Sequence, residues 1–417
     1  MLIHDNDLNN VRDVLLADVA IRIQLPPSSY QLAIDRVAKL AAWLDRPDSA
    51  LKDRVSLVYP QGSMAINATI GSCLDRDEFD IDTIAQLIPL PGRSPQQALD
   101  QLYLAIKGAR GSRYHDMAHR NTRCITVIYA DMHVDLTPAE LIPGGEPRLS
   151  VIFHHRPEEP ASPGRRVIAN PFGFAEWFNE VTPRSASFEA FFEAQSMTMD
   201  RAFVAKDAAV ENVPDQTPAY RKPPSVVALQ LIKRFRNVRY ESRKGRRPPS
   251  VMLARLIAES GSPSGSPFDE LMFQARKLED YFSAHQGSGT LARVVNPCCV
   301  QDVFTDRWPI SLEEQQLFLT DLVYLRSQLQ HLERGADLEK ISNVFSTLFG
   351  ETISRSVITK FAERSGDTIA TGQLRSERGT GRIDLSRARI GTVAATTAAA
   401  SQARGSPRHT FYGPGKT

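Results

Sequence analysis

The sequence predicts an α+β protein of two lobes, a small mixed sheet backed by helices and then a helical lobe. Three observations lead there. From Val55 to about Phe153 the chain carries short runs rich in Val, Ile and aromatic residues, the composition of strands. From Phe172 onward nearly every strong apolar pattern recurs at helical spacing. The length of 417 residues, with 42% apolar and 24% charged, allows two or three domains of an ordinary globular kind and a sizeable core.

Taken in order, Val11 to Leu25 and Tyr30 to Leu44 show helical periodicity with Pro26-Pro27-Ser28 between them, and Ser28 or Ser29 is the expected N-cap of the second helix. The strand-like runs are VSLVYP (55–60), FDIDTIAQL (79–87), CITVIYA (124–130), MHVDLTP (132–138) and SVIFHH (150–155). One amphipathic helix, SPQQALDQLYLAIKGA (94–109), interrupts them. Seven helical stretches follow, from FGFAEWFNEV (172–181) through PSVVALQLIKRFRNVRY (224–240) to SRSVITKFAERS (354–365). After about Gly366 the chain turns to Gly, Ser, Thr, Ala and Arg, with too few apolar anchors to offset chain entropy. A disordered tail is therefore expected over 366–417, closing on HTFYGPGKT, where Phe411 and Tyr412 offer something to bind.

Composition excludes some functions. Lys and Arg number 50 against 48 Asp and Glu, a formal net charge of +2, so the chain as a whole is not a nonspecific duplex binder and any polyanion site must be local. The opening MLIHDNDLNN carries acids where a signal peptide is basic, and no apolar run of about eighteen residues occurs, which predicts a cytoplasmic protein with no membrane segment. The four cysteines, Cys73, Cys124, Cys298 and Cys299, form no CxxC and lack the spacing of a zinc site, so free buried thiols are expected.

The chemistry is concentrated in QGSMAINATIGSCLDRDEFDID (61–82). In a strand, residues two apart share a face, so Asp80 and Asp82 project side by side, with Phe79, Ile81 and Ile84 as apolar neighbours. Two like charges that close repel unless a cation lies between them, and hard Mg²⁺ or Mn²⁺ prefers carboxylate oxygen. Asp135, flanked by Val134 and Leu136, is the third acid from a neighbouring strand. Three carboxylates around two ions roughly 3.5 to 4 Å apart are the apparatus of phosphoryl and nucleotidyl transfer. Upstream, VSLVYP delivers the chain to Gln61-Gly62-Ser63, where Gly62 leaves backbone N–H groups open to a phosphate and Ser63 offers its hydroxyl. Asp75, Asp77 and Glu78 are further acids in the interval; Asp80 and Asp82 are preferred because only they alternate with Phe79 and Ile81.

These residues resemble the polymerase-beta-like nucleotidyltransferase superfamily, and within it the bacterial cGAS/DncV-like nucleotidyltransferases, or SMODS proteins, of CBASS antiphage defence. The resemblance extends to about residue 365. RKPPSVVALQLIKRFRNVRY followed by RRPPSVMLARL is similar to the family's paired helices after the catalytic core, and VVNPCCVQDVFTDRW to its later NP…W segment. It implies a polymerase-beta-like mixed sheet and a helical C-terminal lobe enclosing two nucleotides. The corresponding domains are N-terminal helices over 1–50, a nucleotidyltransferase core over 51–165, a helical nucleotide-binding lobe over 166–365 and the tail. It further implies that Gln61, Gly62 and Ser63 seat the donor triphosphate, that Asp80, Asp82 and Asp135 hold two Mg²⁺, and that Lys233 and Ser250 reach the donor phosphates. A lysine is a mobile point charge suited to a triphosphate, and a helix N-terminus favours an anion. A solvated face explains Lys233 otherwise, since Arg234, Arg236 and Arg239 crowd it, and a plain N-cap explains Ser250.

The implied activity is synthesis of a cyclic di- or trinucleotide second messenger from ATP, GTP or other nucleoside triphosphates, by a monomer. An enzyme modifying RNA or a small molecule, and a non-catalytic antitoxin-like or scaffold protein, are the alternatives. His285, Cys298 and Cys299 do not reproduce the zinc ligands of the animal DNA-sensing relative, so no DNA activator is implied. HTFYGPGKT resembles tails that a ubiquitin-activating-and-conjugating-like enzyme joins to cellular targets, although this chain closes on Lys416-Thr417 and would need trimming after Gly413 or Gly415. The basic run Arg243-Lys244-Arg246-Arg247 is either a solvated turn or a funnel for nucleotides.

Overall fold

Seven strands form one mixed sheet: β1 (Val55–Pro60), β2 (Phe79–Leu87), β3 (Ala118–Arg120), β4 (Ile125–Ile128), β5 (Met132–Leu141), β6 (Ser150–His154) and β7 (Arg165–Ala169). The structure is a computed structural model. It describes residues 11–71, 79–191, 222–261, 266–333 and 338–370, with the paired dipeptides 375–376, 383–384 and 404–405. The strand order is β1-β2-β5-β4-β3, with β6 on the far half of β5 and β7 on β6. Among the described strands only β2 and β5 run parallel. A parallel pair needs a long crossover, and its helical part is α4 (Pro95–Lys107). That helix is started by a capping box between Ser94 and Gln97 with Pro95 in its first turn.

Alternation along the strands decides which face is core. Phe79, Ile81, Ala85, Val134 and Leu136 turn to the face covered by α4 and by α2 (Pro27–Leu44), where they meet Leu40, Leu44, Leu99, Leu102 and Ile106. The opposite face carries Asp80, Asp82 and Asp135 and looks toward the helical lobe. Ile84 stands on this second face, in a small cluster with Tyr59 and Ala139 rather than among the core neighbours of Asp82. An apolar residue two positions beyond an acid shares the acid's face.

The helical lobe is built on α6 (Pro224–Tyr240), buried along Pro224–Arg236, with α5 (Pro171–Val181), α7 (Ser250–Glu259), α8 (Pro267–Gly287), α9 (Leu312–Glu333), α10 (Leu338–Phe349) and α11 (Glu351–Ala370) around it. Trp308, Phe282 and Phe318 make mutually T-shaped contacts at its centre, with ring centroids 5.2 to 5.9 Å apart. The two N-terminal helices divide between cores: α1 (Val11–Ile23) lies in the helical lobe and α2 on the sheet. None of the described helices is long and apolar enough to cross a membrane.

Several sequence expectations are corrected by the structure. Helix α2 starts at Pro27 with Pro26 as its N-cap, so neither Ser28 nor Ser29 caps it; a proline at the first helical position needs no N–H partner there. Pro249 is the N-cap of α7, which puts Ser250 inside the first turn. Strands β3 and β7 escaped notice because AHR and RRVIA are short and polar, and β7 crosses the boundary set at 165. The NP…W segment holds a hairpin, β8 (Val295–Asn296) with β9 (Cys299–Val303), inside an otherwise helical half. The last helix continues to Ala370, past the boundary set at 365. Cys124 and Cys299 are buried free thiols and Cys298 is half-buried, while Cys73, the acids Asp75, Asp77 and Glu78, and the peptide HTFYGPGKT lie outside the described residues.

A buried carboxyl joins α1 to the helical lobe. Asp13 accepts from Phe268 N at 3.0 Å and from Ser266 Oγ at 2.7 Å at the start of α8, and burial pushes its pKa up to about 6 despite those bonds. Between about pH 4 and 6 the folded chain therefore holds a proton that the unfolded chain has released, so stability falls as pH rises through that window. In urea titrations, Asp13→Asn is expected to flatten this part of the profile. The wild-type loss there that the variant lacks should be on the order of 2 kcal/mol.

Candidate active site

Register brings the acids together. In the parallel β2–β5 pair Asp82 lies opposite Asp135 and Asp80 opposite His133, and the residues that alternate with them, Ile81, Val134 and Leu136, are buried. Asp82 and Asp135 are half-buried and Asp80 is exposed. Burial first, then the negative charges of Asp135 and Asp80, push the Asp82 carboxyl up to about 7, with Lys233 and Arg123 opposing. Asp80 has His133 Nδ1 3.6 Å from its Oδ1.

Asp135 is held from two sides. Thr126 Oγ1 donates to Asp135 Oδ1 and in turn accepts from Asn121 Nδ2 at 2.6 Å, while Thr83 Oγ1 donates to the Asp135 carbonyl at 2.8 Å. Sequence reading missed these three polar residues, because a Thr in a strand carries no signal of its partner until register is known. Beside them burial, and then the charge of Asp135, raise the Cys124 thiol to about 12, which makes it an inert thiol at neutral pH.

The Gly-Ser turn presses against Asp82. Gln61 N donates to the Asp82 carbonyl at 2.8 Å, ending β1 against β2, and Gln61 Nε2 lies 3.4 Å from Thr137 Oγ1. Gly62 then takes φ +58°, and a Cβ there would sit 2.7 Å from Asp82 Oδ2. Glycine is thus required twice, for its conformation and for the approach of the carboxylate. Ser63 follows in the one-turn helix α3 (Gly62–Ala65), half-buried, its hydroxyl 3.4 Å from Thr69 Oγ1.

The helical lobe reaches the same turn through α6. Gln230 Nε2 donates to Thr69 O at 2.9 Å and Lys233 Nζ to Ala68 O at 2.7 Å. Lys233 is therefore buried at the back of the turn, not on a solvated face. Burial first, then Arg236, bring its ammonium down to about 7, and Asp82 pulls the other way. Ser250 is one step further off, its Oγ accepting from Arg236 Nη1 at 3.0 Å. A second buried lysine, Lys222, which sequence reading passed over, is also lowered to about 7 by burial.

Three carboxylates, one of them raised by its neighbours, make a donor set that suits a hard divalent cation. Among the described residues no three or more His, Cys, Asp or Glu side chains are grouped closely enough to hold a metal ion.

Comparison with known proteins decides the family. Residues 16–143 match the model of the Second Messenger Oligonucleotide or Dinucleotide Synthetase domain. The chain is 35% identical over 372 residues to the cyclic dinucleotide synthase CdnG of Bradyrhizobium diazoefficiens, covering 88% of each. It belongs to the cGAS/DncV-like nucleotidyltransferases. The solved structure of that CdnG in complex with GTP superposes with a TM-score of 0.73 at 33% identity, covering 85% of this chain and 98% of the other. A c-di-GMP synthase of Roseivirga ehrenbergii is 20% identical over 354 residues, covering 84% of this chain and 87% of its own. Among more distant members, the CdnC of Escherichia coli MS115-1 determined with ATP shares the fold, with a TM-score of 0.51 at 13% identity over 83% of this chain and 99% of its own. All the site aspartates and the Gly-Ser turn of this nucleotidyltransferase fall inside the matched domain, whereas Lys233 and Ser250 lie beyond it.

Gly62 and Gly92 both have positive φ, at +58° and +79°, but nothing stands within 4 Å of a Cβ at Gly92. Gly92→Ala is expected to cost only left-handed strain, about 1 to 2 kcal/mol in chemical denaturation. Gly62→Ala should cost more, because Asp82 has to move as well.

Proposed function

We propose that this nucleotidyltransferase joins nucleoside triphosphates into a cyclic di- or trinucleotide and releases one pyrophosphate per bond. The observation that carries the reading is Asp82 and Asp135 side by side on parallel strands, with the Gly62-Ser63 turn packed against Asp82. The named activities of the two relatives support it. In each step an acceptor ribose hydroxyl attacks the donor's α-phosphorus and gives up its proton, and the bond from that phosphorus to the pyrophosphate oxygen breaks. Asp80, Asp82 and Asp135 would hold two Mg²⁺, or Mn²⁺, which when bound lower the pKa of the attacking hydroxyl and neutralise the leaving pyrophosphate.

The chain's own groups divide the remaining work. Gly62 and Ser63 would seat the donor phosphates by backbone N–H and hydroxyl. Lys233 ties the turn to the helical lobe through Ala68 and sets a positive charge behind the seat. Asp135, whose carboxylate accepts from Thr126 Oγ1, would position or deprotonate the acceptor hydroxyl. Ser250, which accepts from Arg236 Nη1, would join Lys233 at the donor phosphates.

Incubation with the four labelled nucleoside triphosphates and Mg²⁺ should yield a phosphatase-resistant product whose mass is that of a cyclic oligonucleotide. Asp82→Asn and Asp135→Asn should each lower its yield at least about a hundredfold. Full synthesis by either variant would end the two-metal reading. Label on added RNA, or no reaction, would end the cyclic one.

Because Asp82 titrates near 7, cation and proton compete for it. The melting-temperature rise on adding Mg²⁺ alone should therefore be larger at pH 8 than at pH 6. Asp82→Asn should remove that difference.

A further inference from the structure

One face of the sheet carries more than the acids. Asp135, Thr137 and Ala139 alternate along β5 on that face, and Ala139 pairs with Ile152 of β6. The β5–β6 pairing ends at Ile152, and two residues on, His154 pairs with Arg165 of β7. His154, two residues beyond Ile152, and its partner Arg165 therefore share the face of Asp82 and Asp135.

Cations crowd this spot. His155 N donates to Thr122 O at 2.8 Å, which brings the β3–β4 turn and its Arg123 against the end of β6. From the helical lobe Arg307 places Nη2 3.4 Å from His154 Nδ1, and Asp306 meets Arg165 at 3.2 Å and Arg307 at 3.8 Å. Arg246, from the basic loop after α6, adds its charge to Arg307. Arg165 and Arg307 thus share one aspartate, with Arg123 and Arg246 adding charge nearby. The next acid, Asp302, is already engaged by Asn296 Nδ2 at 2.9 Å. Arg123 is exposed and has no hydrogen bond or ion pair among the described residues. His154 is 4% exposed, and its Nε2 is enclosed without a partner. Burial, followed by the charges of Arg123, Arg307 and Arg165, holds that imidazole down at about 3, so it adds no charge and its Nε2 carries an N–H once Arg307 donates to Nδ1.

We propose that Arg123, Arg165 and Arg307, gathered around His154, form a second anion site that takes the 5′-polyphosphate of the acceptor nucleotide while the donor's polyphosphate occupies the Gly62-Ser63 seat. The inference rests on the function proposed above. Two triphosphates held at once bring together about eight negative charges, and one seat beside three carboxylates cannot neutralise both. The acceptor keeps its triphosphate through the first bond, since only the donor loses pyrophosphate. An arginine fork matches phosphate oxygens without changing protonation. The surplus charge, across the sheet face from the carboxylates, is placed for that end of the acceptor.

Competition between acceptors tests this. Enzyme, Mg²⁺, ATP and GTP are mixed with equal AMP and GMP, and mass spectrometry counts products begun on a triphosphate (linear pppNpN and cyclic) against those begun on a monophosphate (pNpN). The wild-type protein is expected to favour the triphosphate acceptor about tenfold or more, the scale of one or two charged hydrogen bonds. Arg123→Ala and Arg307→Gln should bring the ratio toward one, while Arg156→Ala, an exposed arginine paired with Glu159, should leave it unchanged. A ratio unaltered in Arg123→Ala, or an Arg307→Gln that loses thermal stability and rate without changing the ratio, would overturn the site and leave these residues as lobe contacts. No nucleotide product from the wild-type protein would instead overturn the proposed function.

Discussion

The parallel register of β2 on β5 is the constraint from which the rest of this structure follows. Period-two alternation means that a slip of one residue would turn Asp82 or Asp135 into the core and expose Ile81 or Val134. Burying Ile81, Val134 and Leu136 against α4 and α2 therefore does two jobs at once. It supplies the apolar burial that stabilises the sheet, and it forces two carboxylates into adjacent positions that they would avoid if left to electrostatics. The raised pKa of Asp82 reflects its burial first and then the charges of Asp135 and Asp80. Hydrophobic burial of several side chains at roughly 1.5 to 3 kcal/mol each outweighs the repulsion of a half-solvated pair.

The lobes are joined at the same place. Gln230 and Lys233, one turn apart on α6, donate to the successive carbonyls of Ala68 and Thr69, so the loop after the Gly-Ser turn is hydrogen-bonded from the helical lobe instead of from the sheet. A charged donor to a backbone carbonyl is stronger than a neutral one, yet Lys233 is desolvated enough to titrate near neutrality. Phosphate arriving in front of the turn would favour its charged form. The seat and the helix that supports it would then be coupled by a single proton.

Much of this was legible in the residues. The change of periodicity near Phe172, the alternation through Phe79–Asp82 and Met132–Leu136, and the Gly-Ser after VSLVYP sufficed for the sheet, its acids and the helical lobe, because each depends on local pattern. What was missed depends on partners distant in sequence. AHR and RRVIA have no apolar rhythm and are strands only because β4 and β6 pair with them. Ser28 and Ser250 looked like caps because Ser usually caps, but Pro26 and Pro249 already hold the extended N-cap positions.

The basic loop shows why composition alone could not locate anion sites in this chain. Of its cations, Arg243 is committed to Asp321 at 2.5 and 2.9 Å, and Arg247 Nη1 lies 3.4 Å from Asn237 Oδ1. Arg246 is left to act with Arg307. A run of four that reads as one patch is thus divided between a buried structural pair and a contribution to another element's charge. Conversely Arg123, Arg165 and Arg307 come from three separated segments, none of them a basic run, and are assembled only by the β6–β7 register and the docking of the NP…W segment on β7. A chain with a net charge of +2 can therefore hold a strongly cationic corner beside a carboxylate cluster. Arg123 links the two poles, since its charge also opposes the raised pKa of Asp82.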